Sequence, residues 1–255
     1  LDVTFDEDNS ILEINMVSES INRLITYIKQ LLREQELKQI ELRKAEFASL
    51  QTQITPHFLY NILGSIIWMI EDGKKQGAIE MITALTDLFK LNASTTAFTI
   101  PLSFELEYVN RYMHIQSMRY GNKFKFSIEC DPETKTLLCP RMILQPIIEN
   151  AIEHGLSTLD SGNILVKAQT KEDMLKISVR DNGVGMTEDT LDRLRQSLIN
   201  TTGTINSKPH NKAHGIALRN IHNRIRLLYG DKYGLRIESE EDEGTCVIVC
   251  LPILH

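Results

Sequence analysis

The sequence predicts an α+β protein: a long helical first part that feeds an α/β layer with a mostly antiparallel sheet. Three observations lead there. Ile14, Ile21 and Ile28 recur every seven residues, with Val17, Leu24 and Leu31 three after each, which makes an a/d seam over three heptads. Beyond the turn signal Gly121-Asn122 the rhythm becomes alternating, first at Lys123 to Glu129. The later strand patterns come as hairpins rather than as βαβ repeats.

Residues 10 to 54 read as one helix. Arg33-Glu34-Gln35-Glu36 interrupts its seam, and Ile40, Phe47 and Ile54 resume the seven-residue step in another phase. Such a slip is either an imperfect repeat or a change of supercoil that passes on a rotation. A lone helix with this seam needs a partner, so a homodimer is expected. Pro56 removes one helical hydrogen bond and bends the chain locally. The pattern continues through Phe58, Leu59, Ile62, Leu63, Ile66 and Ile70 and stops near Asp72-Gly73. A second helix is expected from Lys75 to about Asn92, with Ile79, Ile82, Leu85 and Phe89 inward. A third runs from about Pro101-Leu102-Ser103 to Gly121, with Leu106, Val109, Tyr112 and Met113 on one face. Three regions follow: 1–35, a linker and coiled coil; 36–120, a helical dimerisation region; and 121–255, the α/β layer. In the last, a helix is expected from Pro140, over Met142 to Leu156. A hairpin over Ile164 to Thr170 and Leu175 to Arg180 comes next, then a helix over Thr187 to Leu198. Residues 200 to 214 have no period and read as a mobile loop. A helix over Ile216 to Tyr229 precedes the last strands, Leu235 to Glu240 and Cys246 to Leu251.

The net charge of -6 argues against a nucleic-acid partner, because a phosphate backbone needs a basic footprint. No apolar run is long enough to cross a bilayer. The chain opens on Leu1 and an acidic stretch rather than on Met, so we expect a piece of a longer protein with any membrane segment upstream. Cys130, Cys139, Cys246 and Cys250 form no Cys-x-x-Cys pair and read as buried reduced thiols.

No Gly-x-x-x-x-Gly-Lys-Ser/Thr loop is present. Instead, Asp181-Asn182-Gly183-Val184-Gly185-Met186 directly follows a strand. Upstream, Leu144 to Gly155 is a largely apolar helix that carries Glu149 and Asn150, both costly in its interior without partners. Downstream, His214-Gly215-Ile216-Ala217-Leu218-Arg219-Asn220 puts a glycine at a loop-to-helix junction, where free N–H groups and the helix dipole favour anions. Glu243-Gly244-Thr245 precedes the last strand. In this order the pieces resemble the GHKL (Bergerat-fold) ATPases over about residues 121 to 255. The resemblance implies ATP and Mg2+ as cofactors. Asp181 would accept a hydrogen bond from the adenine amino group, with Gly183 and Gly185 leaving room for nucleotide. Asn150 would ligate Mg2+. Gly215, Ala217 and Leu218 would bring N–H groups to the phosphates, with residues 200 to 214 as the lid. Ala217 stands where the family usually has glycine. Glu149 either orders a metal-bound water or caps a polar network. Lys212, Arg219 and Arg224 are either phosphate contacts or exposed basic residues.

The first half decides among GHKL activities. Thr55-Pro56-His57-Phe58-Leu59-Tyr60-Asn61 resembles the Pro-His-Phe-x-x-Asn box of LytS/YesM-type histidine kinases, with Thr55 in place of the usual Asn. Leu102 to Arg119 also resembles that family, and Phe5-Asp6-Glu7-Asp8 is similar to the end of a HAMP linker. The resemblance implies a sensor histidine kinase of a two-component system at the cytoplasmic side of the bacterial membrane. It would phosphorylate His57 and pass the group to an aspartate of a response regulator receiver domain. A neutral imidazole is a competent nucleophile, and Asn61, one turn on, can hydrogen-bond one ring nitrogen and leave the other to attack. No carboxylate follows His57 in sequence to act as a base. The alternatives are a GHKL ATPase without histidine phosphorylation, and a degenerate nucleotide-binding scaffold.

Overall fold

The computed structural model of the chain describes residues 29–30, 33, 56–95, 97–121, 123–199 and 215–254. The chain divides into two compact units, 1–52 and 53–255. In the first, residues 29, 30 and 33 are helical. The heptad seam, the HAMP-like opening, Thr55 with the approach to the Pro56 bend, and the 200–214 segment with Lys212 lie outside the described residues.

The second unit begins with three helices. In α1 (Pro56–Glu71), Phe58, Ile62 and Ile66 sit one turn apart on one face and are buried. Gly73, with φ +76, reverses the chain, and the N–H of Lys74 donates to the Met69 carbonyl at 2.8 Å. Helix α2 (Lys75–Ala93) buries Ala78, Met81, Leu85 and Leu88. This differs from the expected inward stripe: Ile79 and Ile82 are each 47% exposed. The helix is apolar around much of its girth, and periodicity alone does not choose which stripe meets α3 (Leu102–Tyr120). The expected face of α3 is buried in full: Leu106, Val109, Tyr112 and Met113. Gly121, in the left-handed region, ends it.

A short ladder flanks α3. Strand β1 (Thr99–Pro101) pairs antiparallel with β3 (Leu138–Pro140), with Ile100 opposite Cys139. The main sheet has the order β2-β4-β5-β7-β6. Its strands are β2 (Phe124–Cys130), β4 (Gly162–Lys171), β5 (Met174–Asp181), β6 (Gly234–Glu240) and β7 (Gly244–Pro252). The β2–β4 pair is parallel and every other pair is antiparallel, as expected of a hairpin-built layer. Alternate residues of β4 (Ile164, Val166, Ala168) turn inward. The covering layer is α4 (Gln145–Asn150) with the π-helical turn that continues it (Ala151–Leu156), α5 (Glu188–Ile199) and α6 (Ile216–Tyr229). The fold is therefore α+β, three helices followed by a two-layer sandwich. Cys139, Cys246 and Cys250 are buried free thiols whose pKa burial pushes up, which suits packing rather than reactivity.

The start of α4 corrects another expectation. Pro140 belongs to β3, Met142 has φ +57, and the helix begins only at Gln145. The reason lies on α3. Glu105, 1% exposed, accepts the backbone N–H of Met142 at Oε2 (2.9 Å) and those of Ile143 (2.8 Å) and Leu144 (3.0 Å) at Oε1. The Leu144 N–H belongs to the N-cap, one of the groups a helix start leaves unsatisfied, and the other two belong to the turn that leads into it. Burial raises the Glu105 pKa, opposed by these backbone hydrogen bonds and by the Arg224 guanidinium. Arg224 is itself buried and donates to the Arg141 carbonyl at 2.6 Å, so it is neither an exposed residue nor turned to a phosphate. Replacing Glu105 by Ala strands three buried donors and is expected to cost about 3 kcal/mol or more. Glu105→Gln keeps an acceptor for Ile143 and Leu144 and should cost distinctly less. Urea unfolding of the two variants checks the order.

Candidate nucleotide and phosphoacceptor site

Three segments meet at the end of β5. Asp181 is its last residue and only 5% exposed. Its Oδ1 accepts the N–H of Gly183 at 2.9 Å and that of Thr245 at 3.3 Å, which ties the loop after β5 to the start of β7. Burial raises its pKa, and those backbone hydrogen bonds oppose the rise. Beside it runs the π-helical turn. A Cβ on Gly155 would lie 2.8 Å from Asp181 Oδ1, so only glycine lets this turn lie against the carboxylate. The N–H of Val184 donates to the Gly155 carbonyl at 3.0 Å.

Gly183 and Gly185 are demanded by the protein itself, before any nucleotide is considered. A Cβ on Gly183 would stand 2.3 Å from the Gly155 carbonyl oxygen, and one on Gly185 would stand 1.8 Å from that of Glu240. Gly185 also has φ +64. The loop is thus clamped between α4 with its π turn and the β6–β7 turn.

Asn150 is the last residue of α4, where the helix widens into the π turn. Such widened turns recur at functional sites. Its Nδ2 is buried and makes no hydrogen bond among the described residues. Glu149 faces the other way, toward α3. Its Oε1 accepts Tyr112 Oη–H at 3.2 Å and Gln145 Nε2–H at 2.9 Å, and Gln116 Nε2 donates to Tyr112 Oη at 2.6 Å. Burial first, then the Glu149 charge, pushes the Tyr112 phenol well up. Glu149 thus takes part in a polar network with Tyr112, Gln145 and Gln116. Gly215 has φ +92 and heads α6, where Ala217 is half-buried and Leu218 is buried. A Cβ on Gly215 would meet Leu194 Cδ1 at 2.8 Å.

His57 is exposed on the first described turn of α1. Asn61 Nδ2 lies 3.1 Å from its Nε2 and 3.4 Å from its Nδ1. The shorter distance marks Nε2 as the acceptor, while so small a difference keeps the amide beside the ring. On the other side, Glu153 of the π turn brings Oε1 to 3.4 Å from Nδ1. Sequence reasoning missed Glu153. Its signal was its place one helical turn beyond Asn150, but nothing in sequence links positions 57 and 153. Glu149 is held in a polar network and Asp181 is buried, while Glu153 is exposed beside His57. His222 accepts the Leu235 N–H at Nδ1 (3.0 Å) and packs between α6 and β6. His154 is exposed.

The raised Asp181 pKa has a sign. Below the ordinary value of 3.8 the group is neutral, folded or unfolded, and folding carries no penalty. As pH rises through the raised folded value, the folded chain must hold a buried anion and stability is lost. Asp181→Asn removes that titration and keeps an oxygen for Gly183 and Thr245. The variant should melt on the order of 2 °C above the unsubstituted chain at neutral pH, and the gap should close on acidification. Thermal melts across a pH series measure it.

Comparison with known proteins places the chain in a family. The family model for "Histidine kinase" matches residues 45–124, and that for "Histidine kinase-, DNA gyrase B-, and HSP90-like ATPase" matches 138–255. Sensor histidine kinase YesM of Bacillus subtilis (strain 168) is 32% identical over 94% of this chain and 39% of its own length. Sensor protein kinase HptS of Staphylococcus aureus (strain USA300) is 30% identical over 94% of this chain and 45% of its own. The chain therefore spans less than half the length of these relatives. The histidine kinase domain of the Erythrobacter litoralis EL346 blue-light activated histidine kinase superposes with a TM-score of 0.44 at 19% identity, over 84% of this chain and 96% of that one. The two family models cover more than three quarters of the chain between them, kinase region first and ATPase region second, and the chain belongs to the histidine kinase family.

Proposed function

We propose that this chain is the phosphotransfer and ATP-binding part of a sensor histidine kinase of a two-component system. It moves the γ-phosphoryl group of ATP to His57, and from there to an aspartate of a response regulator receiver domain. The observation that carries this reading is the meeting of an exposed His57 with the segment that bears Asn150, through Glu153 at 3.4 Å. The residues fit Mg-ATP. Asp181 offers a buried acceptor to the adenine amino group, and its two bonds to loop N–H groups fix its orientation. Asn150 carries a buried amide whose nitrogen makes no hydrogen bond among the described residues, and its oxygen would ligate Mg2+. Gly215, Ala217 and Leu218 open the 14-residue α6, whose N-terminal N–H groups favour the phosphates. Mg2+, when bound, neutralises charge on the transferring phosphate.

A homodimer follows from apolar side chains left open within one chain. Leu63, Ile67 and Ile70 of α1 and Ile79 and Ile82 of α2 are all at least 44% exposed, more than a lone helical pair leaves in water. The proposed division is 1–35, 36–120 and 121–255. The anchor would lie upstream of residue 1 and this part on the cytoplasmic face of the membrane. Among the described residues no helix is long and apolar enough to cross a membrane.

Incubation with γ-labelled Mg-ATP tests the reading. Acid-labile, base-stable label on the unsubstituted chain and none on His57→Ala is expected. Asp181→Asn should bind nucleotide at least tenfold more weakly, as expected for loss of a hydrogen bond to a charged group worth about 1.5–3 kcal/mol. Label retained by His57→Ala refutes the acceptor. Steady phosphate release without label points to a plain ATPase, and nucleotide bound without either points to a scaffold.

A further inference from the structure

We infer that Glu153 is the positioning residue for His57: its carboxylate favours the proton at Nδ1 and so presents Nε2, the nitrogen that Asn61 also marks as an acceptor, to the phosphoryl group. This rests on the reading of His57 as the phosphoacceptor and adds the residue that directs it. The sequence offers no carboxylate beside His57 on its own helix. The fold supplies one from the ATPase half, with Glu153 Oε1 3.4 Å from His57 Nδ1.

Among the described residues, the neighbouring groups leave Glu153 alone in this role. Glu149, one turn earlier, is engaged by Tyr112 and Gln145. Tyr112, reached from α1 through the Phe58 ring at 5.0 Å, directs its hydroxyl to Glu149. Asn61 flanks the ring with its Nδ2 slightly nearer Nε2 than Nδ1, so it steadies the plane and leans toward Nε2 as its acceptor. A neutral imidazole carries one proton, and the nitrogen that keeps it is set by the hydrogen bond the ring makes. At 3.4 Å, an ion-pair distance, a carboxylate facing Nδ1 can only attract a proton there, so it favours the Nδ1–H form.

The step then balances. The Nε2 lone pair forms a bond to the γ-phosphorus while the bond from that phosphorus to the β–γ bridging oxygen breaks, and its electron pair leaves on ADP. The imidazolium charge that develops on the phosphorylated ring is met by Glu153 at Nδ1, which holds or accepts the proton. Glu153 is three residues beyond Asn150, so the turn that offers the metal ligand also orients the nucleophile.

The experiment uses the whole 255-residue chain with Glu153→Ala and Glu153→Gln. Proton–nitrogen long-range correlation spectra of the nucleotide-free protein, with His57 identified by its loss in His57→Ala, read the tautomer at mildly alkaline pH. The Nδ1–H form is expected in the unsubstituted chain, with a shift to the Nε2–H form in Glu153→Ala. Labelling from Mg-ATP should slow by roughly tenfold to a hundredfold in Glu153→Ala, with the KM for ATP within about twofold. Glu153→Gln, which keeps an acceptor but not the charge, should keep the tautomer and fall between the two in rate. A Glu153→Ala spectrum identical to the unsubstituted one overturns the inference, as does an unchanged labelling rate. If the unsubstituted chain takes no label but Glu153→Ala still shifts the tautomer, the phosphoacceptor reading falls and the orientation of His57 by Glu153 stands.

Discussion

The carboxylate of Glu105 is the constraint on which the site depends. It sits on α3, in the helical layer, yet its three hydrogen bonds belong to Met142, Ile143 and Leu144, the residues that lead into α4. Those residues have no register to start a helix unaided, since Met142 stands at φ +57. By binding these three donors, Glu105 ties α3 to the turn that leads into α4, the helix that ends at Asn150 and passes into the π turn bearing Glu153. Burying an anion this deeply is costly without partners. Three N–H groups and the nearby Arg224 make it tolerable, and Arg224 in turn braces the Arg141 carbonyl from α6. Helix α3, the turn into α4 and helix α6 all meet at one side chain.

The loop after β5 is held on a different principle. Its hydrogen bonds run to several segments, and close backbone approach fixes its shape further. Gly155 against the Asp181 carboxylate, Gly183 against Gly155 and Gly185 against Glu240 leave no room for a Cβ. The glycines were legible in the sequence, but their partners were not, because each partner lies on another segment. A glycine motif read from sequence names the positions where bulk is forbidden without saying what forbids it.

The same limit explains what else was and was not legible. Helix α6 matches its expected bounds, Ile216–Tyr229, because an amphipathic period of 3.6 is a local property. The hairpin of β4 and β5 was legible for the same reason. The choice between Ala78-Met81-Leu85-Leu88 and Ile79-Ile82 as the inward stripe of α2 was not, since both stripes are apolar and only α3 selects between them. The β1–β3 ladder joins two three-residue strands far apart in sequence, too short for alternation to register. Asp181, Asn150 and His57 stood out through their motifs. Glu105 and Glu153 did not, as each looks like an ordinary helical glutamate until its cross-chain partner is known.

Those two glutamates are opposites in a way that matches their tasks. Glu105 is buried, makes three short hydrogen bonds and has no freedom to let go. Glu153 makes one contact of 3.4 Å to a histidine, with side chains 46% and 67% exposed. An exposed pair of this kind adds little to stability, because water screens it and two side chains lose freedom to form it. Stability therefore gives no reason for its presence. A weak, solvent-facing contact is what a histidine requires if it is first to be oriented within its own chain and then to leave that place for a second partner. A buried, fully bonded histidine would be better positioned for the first encounter and lost to the second. The architecture keeps its strong carboxylate interaction for the turn into α4 and its weak, screened one for the exposed ring of His57.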